Sequence, residues 1–285
     1  MEFLVQLLNG IQYGLLLFLL ASGLTLIFGI MGVLNLAHGS FYMVGAYLAF
    51  WLARQIGNLW LAVPIELAMV LMIGVILEMG LFSRLYRRDH LHQVLLSFGL
   101  ILIFEELRSI FFGDDVHGVP VPEALRHSIP ITDTLSYPVY RLFISGTCLV
   151  LAGAMYAVIQ KTKIGMTIRA GSTNREMVQS LGINIKLVYR WVFALGVTLA
   201  AFAGMIAAPV SSVYPGMGGQ ILIVCFVVVV IGGIGSIKGA MIAALLIGIV
   251  DTLGQVLLPE FSGAAVYLLM AVILLWRPRG LFRVA

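Results

Sequence analysis

Apolar residues run along this chain in blocks of roughly membrane length, separated by short polar stretches. The blocks are Ile11 to Ile30, Leu36 to Ala53, Trp60 to Phe82, Val94 to Phe112, Val139 to Ile159, Trp191 to Val210, Ile221 to Gly233, Ala240 to Leu258 and Ala264 to Trp276. A straight helix crosses about 30 Å of hydrocarbon in about 20 residues, so the pattern predicts an all-α, polytopic helical membrane protein with eight or nine membrane segments. The pieces 36–53, 221–233 and 264–276 are short for a crossing and read as broken or re-entrant. No interruption is long enough for a soluble domain, so residues 1–285 read as one membrane domain with a polar segment at 160–190.

Two stretches break the helical pattern inside the apolar blocks. The first, Gly29 to Ser40, carries Gly29, Gly32 and Gly39 with the polar Asn35, His38 and Ser40. The second, Gly232 to Gly239, carries Gly232, Gly233, Gly235 and Gly239. Glycine lets backbone bend, and freed N–H and C=O groups at membrane depth persist only in a protein interior or a water-lined cavity. A pair of glycine-interrupted segments is a pointer to a transport path, so Asn35, His38, Gly39, Ser40, Gly232, Gly233, Gly235 and Gly239 are its candidates. Either stretch also fits a tight turn or close helix packing. His38 suits a substrate contact, a proton relay or a donor to a carbonyl freed by the break. Asn35 both donates and accepts, and could bind freed backbone or a zwitterion's head group.

Composition and charge set the class and the orientation. Hydrophobic residues make up 61% of the chain and charged ones 11%, and the mean hydropathy is +1.07; these values exclude a soluble domain. A pI near 9.2 could suggest nucleic acid, but the cations sit between apolar blocks, where they act as topology signals. Of 17 Lys and Arg, Arg84, Arg87 and Arg88 lie in one polar stretch, Lys161, Lys163, Arg169, Arg175, Lys186 and Arg190 in another, and Arg277, Arg279 and Arg283 at the end. Those stretches, the C-terminus included, read as cytoplasmic. The stretch 113–138, with Asp114, Asp115, Glu123 and Asp133 against Arg126, reads as outward, which puts the N-terminus outside. Met1 to Ser22 lacks the basic start of a cleaved signal and reads as retained. Cys148 and Cys225, each inside an apolar block, read as small hydrophobes, with no disulfide or metal framework.

Ionisable residues within apolar blocks cost on the order of 2.5 to 3.5 kcal/mol each on insertion scales and should face protein or water. Among them are Glu66, Glu78, Glu105, Glu106, Arg108 and Asp251. The spacing of Glu105 and Arg108 predicts a local ion pair, and Glu78 is expected to anchor near Arg84. Asp251 reads as a bond to a neighbouring helix or partner subunit; as a mid-membrane carboxylate it also keeps a proton-coupled secondary transporter open.

The segment 160–190 holds six cations and the acid Glu176. Its run EMVQSLG, Glu176 to Gly182, predicts a short helix closed by glycine, a handle for a partner. This run resembles the coupling loop of ABC importer permeases, with Met177 and Val178 in place of alanines. GIMGVLNLAHGSFYMVGAYLAF, Gly29 to Phe50, and VIGGIGSIKGAMIAALLIG, Val230 to Gly248, are similar to the two signatures of the branched-chain amino acid ABC permease family. Lys238 stands where that family usually has an uncharged residue. With RAGSTNREMVQSLGIN, Arg169 to Asn184, the three motifs follow the family's order.

The resemblance implies a permease subunit of a binding-protein-dependent importer in a bacterial inner membrane, translocating leucine, isoleucine or valine. It implies a sister permease in a heterodimer, two cytosolic ATP-binding subunits and a periplasmic substrate-binding protein. It also implies ATPase coupling through Arg169, Glu176, Leu181 and Gly182. The family includes permeases for urea and short amides, an alternative substrate class. The chain has no G-x-x-x-x-G-K-[ST], so any ATP is expected on partner subunits, and no cofactor is expected on this chain. It also lacks H-E-x-x-H, G-x-S-x-G and zinc-spaced Cys/His, so no catalytic residues are expected.

Overall fold

The computed structural model describes residues 2–282 apart from 87, 133, 134 and 258. Arg87, Asp133, Leu258 and Arg283, used above for topology and span ends, lie outside the described residues. The chain forms α1 (Glu2–Met31), α2 (His38–Ile56) and α3 (Leu59–Leu77). A π-helical turn, Glu78–Phe82, carries α3 into α4 (Ser83–Leu85), followed by α5 (His90–Phe112). Beyond a polar loop come α6 (Val139–Lys161), α7 (Lys163–Thr173), α8 (Arg175–Ser180), α9 (Ile185–Ser211), α10 (Met217–Gly232), α11 (Ile237–Leu257) and α12 (Ser262–Trp276).

Every expected apolar block is a helix, but length and composition support fewer crossings than eight or nine. Among the described residues five helices are long and apolar enough: Phe3–Met31, Leu61–Leu85, Val139–Lys161, Ile185–Ser211 and Ile237–Leu257. α10 and α12 have 16 and 15 residues. α2 and α5 have the length but carry polar interruptions, among them Arg54, Glu105 and Arg108. The helices also extend past the apolar blocks, α1 back to Glu2 and α9 back to Ile185. At α9 the cause is a cap: Asn184 Oδ1 accepts from the Leu187 N–H at 3.3 Å, so the helix starts where its first donors find an acceptor.

α1 sits at the centre. Leu15 to Ala21 are all buried, and the helix packs on α6, α9, α10 and α11. Through that stretch the helix is apolar all round and has no solvent face to give. Its glycines set the approach: a Cβ on Gly14 would lie 2.8 Å from the Ala244 carbonyl oxygen of α11, and one on Gly23 would collide with the Gly196 carbonyl of α9. α2 and α9 cross in the same way, Gly45 against the Ala201 backbone and Gly204 against the Tyr42 carbonyl. Without a hydrophobic drive between helices in lipid, such close backbone approach supplies the packing.

The buried acids find specific settings. Glu66 is 0% exposed, within protein, and neither carboxylate oxygen has a hydrogen-bond partner among the described residues. Glu78, 1% exposed, pairs with Arg190 of α9 at 3.2 Å and accepts from the Tyr86 hydroxyl. This corrects the expectation that it anchors near Arg84, whose guanidinium donates to the Gly80 carbonyl instead. Six residues apart, 78 and 84 do not share a helix face, and Glu78 is turned toward α9. Arg190→Gln should therefore strand a buried carboxylate and destabilise the fold by about 3 kcal/mol. Thermal unfolding of the detergent-purified chain, compared with Arg84→Gln, reads this; equal melting of the two variants would refute the pairing.

The expected Glu105–Arg108 pair is present at 3.4 Å, and Arg108 also reaches Asp114 at 2.7 Å. The hydrogen bond from Arg108 holds the exposed Asp114 carboxyl below the usual carboxylate range. The loop beyond holds an antiparallel hairpin, β1 (Ser128–Thr132) with β2 (Leu135–Pro138), which the hydropathy pattern did not foretell. His117 and Val213 exchange backbone hydrogen bonds of 2.8 Å, tying this loop to the end of α9.

Candidate functional site

The first break is an extended passage between α1 and α2. Gly32 takes φ +64°, and Val33, Asn35 and Ala37 are buried. His38, the first residue of α2, places Nε2 3.0 Å from the Leu20 carbonyl oxygen, to which it donates. Leu20 lies 31 − 20 = 11 residues back from the end of α1, about 16 Å of helix. The chain therefore doubles back along α1, and α2 begins against its middle. The carbonyl met by His38 belongs to the body of α1, which corrects the expectation of one freed by the break. Asn35 Oδ1 accepts from the Ala37 N–H at 3.1 Å, holding the turn into α2. Asn35 Nδ2 and His38 Nδ1 have no partner among the described residues. Gly39 lies against the Gly218 carbonyl and Leu222 Cβ of α10, and Ser40 is buried beside it in sequence.

The second break separates α10 from α11. Gly233 and Gly235 take φ +95° and +82°. Gly239 packs on the Gly232 carbonyl, and Gly233 packs on the Phe282 carbonyl. The Leu281 and Phe282 N–H groups donate to Ile231 and Gly232 at 2.8 and 3.2 Å, so the segment after α12 satisfies carbonyls at the end of α10. The structure thus places the eight path candidates in two clusters: 35–40 against α1 and α10, and 232–239 against the segment that follows α12.

Three side-chain caps organise the segment 160–190. Thr162 Oγ1 accepts from Gly165 N at 3.1 Å, Asn174 Oδ1 from Met177 N at 3.0 Å, and Asn184 opens α9. α8 ends in a glycine-dependent pair of hydrogen bonds: Gly182 N–H to Gln179 O at 3.0 Å and Ile183 N–H to Val178 O at 3.3 Å, with Gly182 at φ +81°. Val178 is buried, while Met177 and Leu181 are 63% and 70% exposed. Met177 was not among the sequence candidates; an exposed apolar residue on a polar helix leaves no local signal. Glu176 is exposed in the first turn of α8, where a carboxylate favours the helix dipole. Arg169 points elsewhere, its guanidinium donating to the Ile159 carbonyl at the end of α6.

Three motifs distant in sequence meet at this end of the bundle. A Cβ on Gly29 would lie 2.7 Å from Gly235 Cα, so the two breaks touch. A cavity of about 240 Å³ beside them is lined by Thr25, Gly29, Arg169, Gly235, Ser236 and Lys238, among others. Asn35, His38, Gly39 and Ser40 lie apart from it. Exposure along the first break alternates, with residues 32, 34 and 36 more open than 33, 35 and 37. Single cysteines in a Cys148→Ser, Cys225→Ser background should repeat that alternation with a small maleimide on the detergent-purified chain. A period of three to four residues would mean a helix there instead.

The sequence profile described as branched-chain amino acid transport system / permease component matches residues 6–276. The high-affinity branched-chain amino acid transport system permease protein BraD of Pseudomonas aeruginosa is 28% identical, over 98% of this chain and 95% of its own length. LivH of Escherichia coli, a permease protein of the same description, is 27% identical over the same shares. LivM of Escherichia coli, also so described, is 24% identical over 92% of this chain and 67% of its own. No solved structure is a significant match.

Proposed function

The chain belongs to the branched-chain amino acid transport system permease family, and from that premise we propose that it is the membrane subunit of an ATP-driven importer of leucine, isoleucine and valine. The observation that carries the coupling part is α8: a six-residue helix, closed by Gly182, presenting Met177 and Leu181 outward from a basic segment. In this reading a cytosolic ATPase grips α8 through Glu176, Met177, Leu181 and Gly182. Arg169 braces α7 against α6 behind it. Similarity to both LivH and LivM supports a sister permease of the same fold. The remaining partners are two ATP-binding subunits and a periplasmic substrate-binding protein.

The reading puts α7, α8 and the C-terminus on the cytoplasmic side of an inner membrane and the loop 113–138 outside, as the lysine and arginine bias favours. Closure of the ATPases would push α8 and, through α7, the contact between the two breaks at Gly29 and Gly235. The path would run along the buried stretch 35–40 and the glycines 232–239, opened by relative movement of the two permease subunits. Urea or a short amide is the second substrate class, which the shared signatures favour.

The deciding measurement is uptake by proteoliposomes holding this chain with its sister permease, ATPases and binding protein. ATP-dependent accumulation of labelled leucine, isoleucine and valine is expected, with none of urea or acetamide. Accumulation of urea alone would move the substrate; uptake driven by a pH gradient without ATP would overturn the importer reading.

A further inference from the structure

We propose that a polar cavity at the end of the bundle opposite α7 and α8 is a binding site for a free α-amino acid, in which Arg141 takes the carboxylate and Asp251 the ammonium group. The proposal rests on the transport reading and adds the place where the membrane subunit itself meets its substrate. The cavity has a volume of about 440 Å³, within the range of about 300 to 1,000 Å³ usual for small-molecule sites. Its walls come from α1, α2, α6, α9 and α11.

Two opposite charges share this cavity without pairing with each other. Arg141 Nη1 donates to Asn9 Oδ1 of α1 at 2.6 Å, and Tyr137 lies close to the guanidinium. A guanidinium has five N–H donors in a fork that matches a carboxylate, so these contacts orient it while leaving donors for a ligand. Across the cavity, Asp251 Oδ2 accepts from Gln255 of its own helix at 2.8 Å, and Oδ1 has no protein partner among the described residues. Arg141 is the third residue of α6 and Asp251 lies in the last two turns of α11, so both charges sit at one end of the bundle and are half-buried. Bonded to Asn9 and Gln255 rather than to each other, the two present complementary ends to a zwitterion.

The rest of the lining fits the third feature of such a ligand. Leu16, Ile144, Ala207 and Val210 give the same cavity an apolar side, suited to an aliphatic side chain. Gln12 and Tyr13 add uncharged hydrogen-bonding groups. Urea, with neither a carboxylate nor an ammonium group, would leave both charges unanswered, so the site separates the two substrate classes. It needs no tight affinity, since a binding protein concentrates substrate upstream in the transport reading.

The test uses the assembled transporter in nanodiscs, without ATP and without binding protein, and follows labelled leucine by scintillation proximity. Saturable binding is expected, displaced by valine. Leucine methyl ester, which lacks the carboxylate, and 4-methylpentanoate, which lacks the ammonium group, should each compete at least tenfold less well. Arg141→Gln should weaken leucine binding at least tenfold and remove the discrimination against the ester. Asp251→Asn should do the same for 4-methylpentanoate. The competitor profile on the unaltered protein needs no variant, and partial recovery in Arg141→Lys separates lost charge from lost folding. Absence of saturable leucine binding, or equal competition by both analogues, would overturn the proposal even where ATP-driven uptake with the binding protein is intact. Binding as described with no ATP-driven uptake would instead overturn the transport reading and leave the site standing.

Discussion

Replacing Gly182 with tryptophan is expected to abolish ATP-driven uptake while the chain still inserts and folds. The residue stands at φ +81°, where a side chain costs about 1 kcal/mol, and its N–H closes α8 onto Gln179. A Cβ there would meet nothing within 4 Å of this chain. The fold therefore loses little, a small part of the several kcal/mol that hold a domain together. What changes is the surface: a bulky ring enters the space beside Leu181 and the last turn of α8 tilts, so an ATPase can no longer seat. Copurification of the ATPase and leucine uptake read the two halves. Gly182→Ala, with the backbone strain and a single added methyl, should retain part of the uptake. Full transport with normal ATPase association in Gly182→Trp would remove α8 from the coupling role.

The largest loss of stability is expected at the crossing of α2 and α9. A side chain at Gly45 would overlap the Ala201 backbone, and one at Gly204 would overlap the Tyr42 carbonyl. Backbone cannot retreat as a flexible side chain can, so the helices must separate, and the packing around Phe41 and Phe193 goes with them. Gly45→Leu should destabilise the protein by about 3 kcal/mol or more, at the upper end for overpacking, and Gly45→Leu with Gly204→Leu should yield no folded protein. Gly99 and Gly153 provide the contrast, since a Cβ at either meets nothing within 4 Å. Alanine there removes a helix-interior glycine and should be neutral or stabilising by up to about 1 kcal/mol. Melting temperatures of the four variants in one detergent, alike within a few degrees, would show that the crossing is looser than described.

The apolar helices, their order and both breaks could be read from the sequence because hydropathy and glycine act locally, whereas the polar α7 was not foreseen. The glycine end of α8 was legible for the same reason: a left-handed residue after a short polar helix is a property of a few neighbours. Contacts between distant residues left no such trace. Glu78 lies near Arg84 along the chain yet pairs with Arg190, 112 residues away. Gly29 and Gly235 were each visible as breaks, but not as neighbours. His38 and Asn35 stood out as polar groups in an apolar block; what they bond, a carbonyl in mid-α1 and the turn into α2, depends on the chain doubling back. Asp251 reads from the sequence as bonding a neighbouring helix or a partner subunit, but its bond is to Gln255 of its own helix; Arg141, which shares its cavity, sits on another helix and gave no local sign. Crossing number proved the least legible, since polar residues on α2 and α5 and the shortness of α10 and α12 blur a count based on hydropathy.

The central position of α1 also dictates how the molecule is made. Its packing partners α9 and α11 begin 185 − 31 = 154 and 237 − 31 = 206 residues after α1 ends. At on the order of 5 to 20 residues per second, α1 spends roughly 10 to 40 s beyond the ribosome before both can reach it. During that interval the faces carrying Gly10, Gly14 and Gly23 meet lipid or an insertase. Buried polar groups such as Gln12, Ser22 and Thr25 wait there with them. The helix that ends up most enclosed is thus the one kept longest without its neighbours.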